Sequence, residues 1–225
     1  MSISELFPSD RAIISLCGVD GCGKTTQVML LKRFLISKGI KCAYVWFRWT
    51  AFMSYPFLAL CRVLGQTKAG INPRSGTHVS EHLFYRYDAI GKTWMLLITF
   101  DLCIHYLLRV RTRIHAGFLI LCDRFVLDTI VDLIHDTGDD RFLRSFLGKF
   151  LVTLSKKSIT MVLDVDEHVA FNRKRDIPSL NYVIARRATY LKLAKALRLT
   201  IIDADRKPDD VHKRIIDEIL TIKER

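Results

Sequence analysis

Lys24 and Thr25 close the run Gly18-Val-Asp-Gly-Cys-Gly-Lys-Thr25, which fits the spacing GxxxxGK[ST]. Glycines at such a spacing let the backbone curl until successive N–H groups point inward at phosphate oxygens. From that loop Lys24 has the reach for β- and γ-phosphates, and the Thr25 hydroxyl suits Mg²⁺. A strand-like apolar run, Ile13–Cys17, precedes the loop and a helix-like run, Lys24–Lys38, follows it. The bland reading is a glycine-rich turn, but strand, loop and helix in that order favour nucleoside triphosphate binding. A second constellation is Asp123-Arg124-Phe125, at the end of the apolar run Phe118–Cys122. An acid beside an arginine at a strand's C-terminal end suits phosphoryl transfer to a small molecule. Asp123 would serve the metal shell and Arg124 an anionic acceptor; a surface ion pair is the plain alternative. The basic run Arg173-Lys174-Arg175 reads either as a lid over a transferring group or as a solvated helix face. No guanine-reading NKxD run is present, and Asp88–Gly91 follows no apolar strand, so a GTPase switch is not expected.

The elements that must carry these residues are legible as alternating patterns. Ile13–Cys17, Lys41–Phe47, Phe118–Cys122, Ile159–Asp164 and Thr200–Asp203 are short apolar runs ending in polar or glycine residues. Segments of helical period separate them: Lys24–Lys38, Leu83–Ile114, Leu127–His135, Phe142–Lys156, Asn181–Leu197 and Asp209–Lys223. Continuous apolar strands alternating with helices predict an α/β fold, a five-stranded parallel sheet flanked by helices on both faces. Gln66–Ser80 is the one clear loop-like segment, too short to divide the chain, so residues 1–225 are expected to form one domain.

The 225 residues are 50% hydrophobic and 26% charged, which excludes disordered and low-complexity classes. A net charge of +12 favours polyanionic partners, whether nucleic acid, anionic membrane or phosphorylated small molecules. Six cysteines without metal-ligand spacing read as reduced thiols, and the short apolar run near the N-terminus is no signal peptide; a cytoplasmic protein is expected. Met95–Val110 contains Asp101 and His105, so no transmembrane helix is expected there. The aromatic stretch Tyr44–Phe57 reads as core and dimer interface, ahead of a membrane contact. Arg109, Arg111 and Arg113 scatter around a helix and read as a solvated face, so no nucleic-acid partner is expected. His105 and His135 read as satisfied core or interface histidines. Cys22 either has its thiol pKa lowered by the loop's amides or simply fits there as a small residue.

Taken together the motifs resemble the thymidylate kinase family of phosphate-loop nucleoside monophosphate kinases. GVDGCGKTTQ resembles its phosphate loop, CDRF its DR[YF] signature, and LDVDEHVAFNRKR its strand leading to the lid. Arg187–Tyr190 and IIDADRKPDDVHKRI resemble its late helix and terminal strand–helix pair. The short lid of about residues 173–187 looks most like the archaeal-type branch. The resemblance implies the phosphate-loop fold, ATP and Mg²⁺ as cofactors, a nucleotide acceptor and a homodimer. It assigns Gly18, Asp20, Gly21, Cys22, Gly23, Lys24, Thr25 and Thr26 to the ATP site, and Thr25 and Asp123 to the metal. Asp20, Arg48 and Arg124 would bind the acceptor. Lys24, Asp123, Arg124 and Arg173 would carry catalysis, with Arg173, Lys174 and Arg175 in the lid. Some relatives carry an arginine at the place of Gly21, so here the lid must supply that charge.

The acceptor half departs from the family pattern. The arginine of its D-R-x-x-H segment has become Leu102 and its thymine-stacking aromatic Ile98; its serine and base-reading glutamine fall on Asp128 and Leu133. Phosphorylation of dTMP by ATP is the expected reaction. The rivals are the same chemistry on another phosphorylated acceptor and a nucleotide-binding module without turnover.

Overall fold

The computed structural model describes residues 12–47, 52–82 and 84–223. Its strands are β1 (Ile13–Cys17), β2 (Cys42–Trp46), β3 (Thr67–Ile71), β4 (His78–His82), β5 (Leu119–Asp123), β6 (Ile159–Asp164) and β7 (Thr200–Asp203). All but β3 and β4 join one parallel sheet in the order β2-β5-β1-β6-β7. Every residue of β1 and β5 is buried, which is why these strands read as unbroken apolar runs.

The helices are α1 (Lys24–Ser37), α2 (Ser54–Val63), α3 (Asp88–His105), α4 (Val126–Thr137), α5 (Phe146–Ser155), α6 (Glu167–Arg173), α7 (Leu180–Leu197) and α8 (Pro208–Lys223). Helices α1 and α8 pack together, α1 on β1, β2 and β5 and α8 on β7. Helices α3, α4 and α5 pack on one another, and α7 joins α4 to β6 and β7. The predicted helix Phe142–Lys156 is broken at Ser145, whose hydroxyl caps α5 by accepting from Gly148 N at 3.1 Å.

Helices α2 and α6 have no counterpart among the helical segments read from sequence, and two further segments differ from expectation. The loop-like stretch Gln66–Ser80 contains most of an antiparallel hairpin, with Thr67 opposite His82 and Ile71 opposite His78. Its residues, Thr67–Ile71 and His78–His82, carry no apolar alternation, so the sequence shows no strand pattern there. The turn closes on Asn72 and Gly76: Asn72 N donates to Thr77 O at 2.9 Å and Gly76 N to Asn72 O at 2.8 Å. The second is the long helix. From α3 it runs through a π-helical stretch, Tyr106–Arg111, to His115. This 28-residue rod is long and apolar enough to cross a membrane by length and composition, and 39% of its apolar window is buried. Trp94, Met95, Leu102 and Val110 face the core, while Arg109, Arg111 and Arg113 are exposed. The buried Asp101 carboxylate accepts from Phe52 N (3.0 Å), Met53 N (2.8 Å), Ser54 N (2.9 Å) and Ser54 Oγ (2.6 Å), and so caps α2 from another helix.

Candidate active site

Between β1 and α1 the loop Gly18–Gly23 wraps the Lys24 ammonium. Lys24 Nζ donates to Gly18 O at 2.8 Å and Val19 O at 2.7 Å, and the residue is 6% exposed. Gly21 has φ 87°, and a Cβ there would collide with the Ala170 carbonyl of α6. Backbone angle and neighbour therefore both demand glycine. Cys22 is buried beneath the loop, and burial pushes its thiol up despite Lys24 alongside; the lowered-pKa reading is overturned. Burial likewise raises the other five thiols, and all six are free.

Opposite the loop stands the end of β5. Thr25 Oγ1 donates to Asp123 Oδ2 at 2.5 Å, and the Tyr44 hydroxyl donates to the same oxygen at 3.3 Å. Burial, and then Asp123, push the Tyr44 phenol up to about 12, so it stays a donor at neutral pH. The next residue, Arg124, is left-handed at φ 70°, a conformation held by its N–H donating to Leu16 O at 3.2 Å. That turn aims a buried guanidinium back at the loop, where it pairs with Asp20 and lies 3.5 Å from Asp128 Oδ1. Burial disfavours this cation, but Asp128 and Asp20 outweigh burial and hold its pKa above the usual arginine value. Asp128 is itself fixed: Oδ2 accepts from Phe125 N at 3.0 Å and Oδ1 from the Tyr190 hydroxyl at 2.8 Å.

The first two residues of the basic run lie on the same cavity, whose volume is about 510 Å³. Arg173 lines it, donating to Ala204 O at 3.5 Å. Lys174 lines it too, 3.3 Å from Asp20 Oδ1 and 3.3 Å from Asp176 Oδ2. Behind them Arg187 grips Asp164 through two bonds of 2.7 and 3.0 Å and also pairs with Glu167, tying α7 to β6 and α6.

The fold thus brings together Asp20, Gly21, Cys22, Gly23, Lys24, Thr25, Thr26, Asp123, Arg124, Arg173 and Lys174 around one cavity. Gly18 sits behind it against Leu163. Arg175 is exposed and outside it, and Arg48 lies outside the described residues. Leu102, Leu133 and Asp128 are 2%, 1% and 2% exposed, and Ile98 packs half-buried on the core, so none of these four presents an exposed base-reading group. Trp46, Ala204, Arg206, Pro208 and Val211 also line the cavity, unassigned from sequence. For Trp46 and Ala204 the signal was positional: they stand at or just beyond the C-terminal ends of β2 and β7, where α/β sheets bind ligands, whereas Arg206, Pro208 and Val211 come from the turn and the first residues of α8. Gln27 joins the two walls by donating to Pro208 O at 2.8 Å.

A hydroxyl and a carboxylate at one loop mouth are hard oxygen donors of the kind Mg²⁺ takes, with phosphates and water completing its shell. Among the described residues no group of three or more His, Cys, Asp or Glu could hold a metal by itself.

No protein-family profile matches the chain. Curated thymidylate kinases do resemble it over most of their length. One from Geobacillus sp. (strain WCH70) is 27% identical over 217 residues, covering 90% of this chain and 93% of that protein. Another, from Nostoc sp. (strain PCC 7120), is 28% identical over 219 residues, covering 91% and 93%. A probable thymidylate kinase from Staphylothermus marinus, an archaeal relative, is 20% identical over 207 residues, covering 88% and 89%.

Proposed function

We propose that this relative of the thymidylate kinases transfers the γ-phosphoryl group of ATP to a nucleoside monophosphate, with dTMP the first candidate. The observation that carries the reading is the convergence of Lys24, the Thr25–Asp123 pair, Arg124 and Arg173 on one cavity beside a glycine loop. In this reading one kinase domain spans the chain, and the segment 173–187 is its lid.

The loop amides and Lys24 would hold the β- and γ-phosphates, with Lys24 exchanging its carbonyl partners for phosphate oxygens. Thr25 and Asp123 would hold Mg²⁺, which supplies charge neutralisation at the phosphate oxygens. Arg124 would grip the acceptor phosphate; its strained backbone and its pairing with Asp20 preset the guanidinium's direction. Arg173 would face the transferring group, supplying the charge that the backbone packed over Gly21 leaves no room to supply from the loop. Asp20, which pairs with Arg124 and Lys174, would meet the acceptor's sugar. The burial of Leu102 and Leu133 favours a second acceptor reading, a nucleotide or small phosphorylated molecule that is not read through a thymine ring.

A coupled ADP-release assay over nucleoside monophosphates and sugar phosphates tests both readings. Stimulation by dTMP supports the first and stimulation by another acceptor the second. ADP release that no acceptor stimulates removes both. We also propose a homodimer through α2 and the long rod that α3 begins, where Tyr55, Leu60, Val63, Leu96, Phe100 and Leu108 are exposed. Sedimentation analysis showing a monomer at tens of micromolar would reject it. ATP use and six free thiols support an intracellular setting.

A further inference from the structure

We infer that Asn72 and Arg74, in the turn of the β3–β4 hairpin, are positioning residues: they hold the chain on both sides of the basic run and so set where Arg173 and Lys174 stand. The inference rests on the proposed reading of 173–187 as the lid.

Asn72 is a polar turn residue that is 1% exposed, a placement that is costly unless its amide is fully used. Both ends are used. Oδ1 accepts from Arg74 N at 2.9 Å, and Nδ2 donates to Ile177 O at 2.9 Å, 105 residues away. Ile177 is itself buried, so the segment after Arg175 is pinned at this point. Arg74 takes the other side: Nη1 donates to Phe171 O at 3.0 Å, and its guanidinium stacks 3.7 Å from the centre of the Phe171 ring. Phe171 belongs to the last turn of α6, where carbonyls lack helical partners.

Helix α6 has seven residues and a single fully buried apolar side chain, Ala170, so it cannot hold itself in place. Its supports include Arg187 of α7, Asp205, whose carboxylate accepts from Asp166 N at 2.8 Å, and the hairpin turn. The carbonyl of Ala170, next to Phe171, is the one that packs over Gly21. A continuous row of contacts therefore runs from the hairpin turn through α6 to the phosphate loop. Freeing the turn leaves Arg173 and Lys174 on a segment that has lost its hairpin contacts and keeps those to α7, Asp205 and Ala204.

The test compares wild type with Asn72→Asp, Arg74→Ala and Arg74→Lys, each first checked for a wild-type far-ultraviolet circular dichroism spectrum. Asn72→Asp keeps size and the acceptor for Arg74 N but turns an oxygen toward Ile177 O. Arg74→Lys keeps the charge but loses the stacked plane. Limited trypsin digestion, read by mass spectrometry at Arg173, Lys174 and Arg175, should proceed about tenfold faster in Asn72→Asp and Arg74→Ala, and at an intermediate rate in Arg74→Lys. Steady-state assays with ATP and the best acceptor should show kcat down by about the same factor, with the KM for ATP nearly unchanged. Wild-type cleavage rates in the folded variants, or faster cleavage with unaltered kcat, overturn the inference. Digestion needs no turnover, so it reads the hairpin–lid link even if the chain phosphorylates no acceptor. Lys24→Ala serves as the control: turnover should vanish there while lid cleavage stays at the wild-type rate.

Discussion

Replacing Lys24 by alanine removes an ammonium that is wrapped by carbonyls and ends in the ligand cavity. Turnover should fall about 10³-fold or more while the fold survives, checked by steady-state kinetics beside a circular dichroism spectrum. Arg124→Ala should weaken dTMP binding far more than binding of an ATP analogue, because the guanidinium faces Asp20 rather than the Thr25–Asp123 pair. Isothermal titration with each ligand decides it, and equal losses would make Arg124 structural. Arg173→Ala should lower kcat about 10³-fold, with a smaller rise in the KM for ATP. Arg175→Ala should do little, since that side chain is exposed and outside the cavity. Residue types and spacing made the glycine-loop wall of the cavity legible in advance, since GxxxxGK[ST] states its own geometry. They did not reveal Asp20 as the partner shared by Arg124 and Lys174, because its partners lie 104 and 154 residues away.

Among the elements, the loop and α6 are packed so closely that they constrain each other. Gly21→Ala should lower the thermal midpoint and weaken ATP-analogue binding together, because Cβ meets the Ala170 carbonyl and φ is 87°. Calorimetry and titration on one preparation test this; an unaltered midpoint would mean that α6 yields easily. The parallel strands could be placed from sequence because burial on both faces leaves an unbroken apolar signature, as in Ile13–Cys17 and Ile159–Asp164. The hairpin carried no such signature. Its turn is fixed by Asn72 and Arg74 reaching into a segment about a hundred residues away, which a local pattern cannot encode. Helix α2 was hidden for a similar reason: its cap, Asp101, lies on another helix.

For the molecule as a whole, two buried histidines tie stability to acidity. Burial, and then Arg62, hold His82 down to about 4, and burial, with Arg109 and Arg113, does the same for His105. An unfolded histidine titrates near 6.5, so between about pH 6.5 and pH 4 the unfolded chain binds protons that the folded one refuses. Stability should therefore fall as pH drops through that window. His105 stacks on Phe47 with ring centres 4.8 Å apart, so His105→Phe should keep the stack and lose part of the acid sensitivity. Thermal midpoints from about pH 7 to pH 4.5 read this directly, and parallel curves for variant and wild type would refute it.

The carboxylate midway along the long apolar rod also bears on how that rod behaves beside a lipid surface. To slide into a bilayer, the rod would have to carry Asp101 with it, exchanging three backbone amides and a hydroxyl for hydrocarbon. A lone acidic group at the centre of a spanning helix costs at least about 2.5 kcal/mol, and α2 would lose its cap in the same step. Insertion and the native arrangement of α2 are therefore mutually exclusive, and Asp101 fastens the rod to the protein.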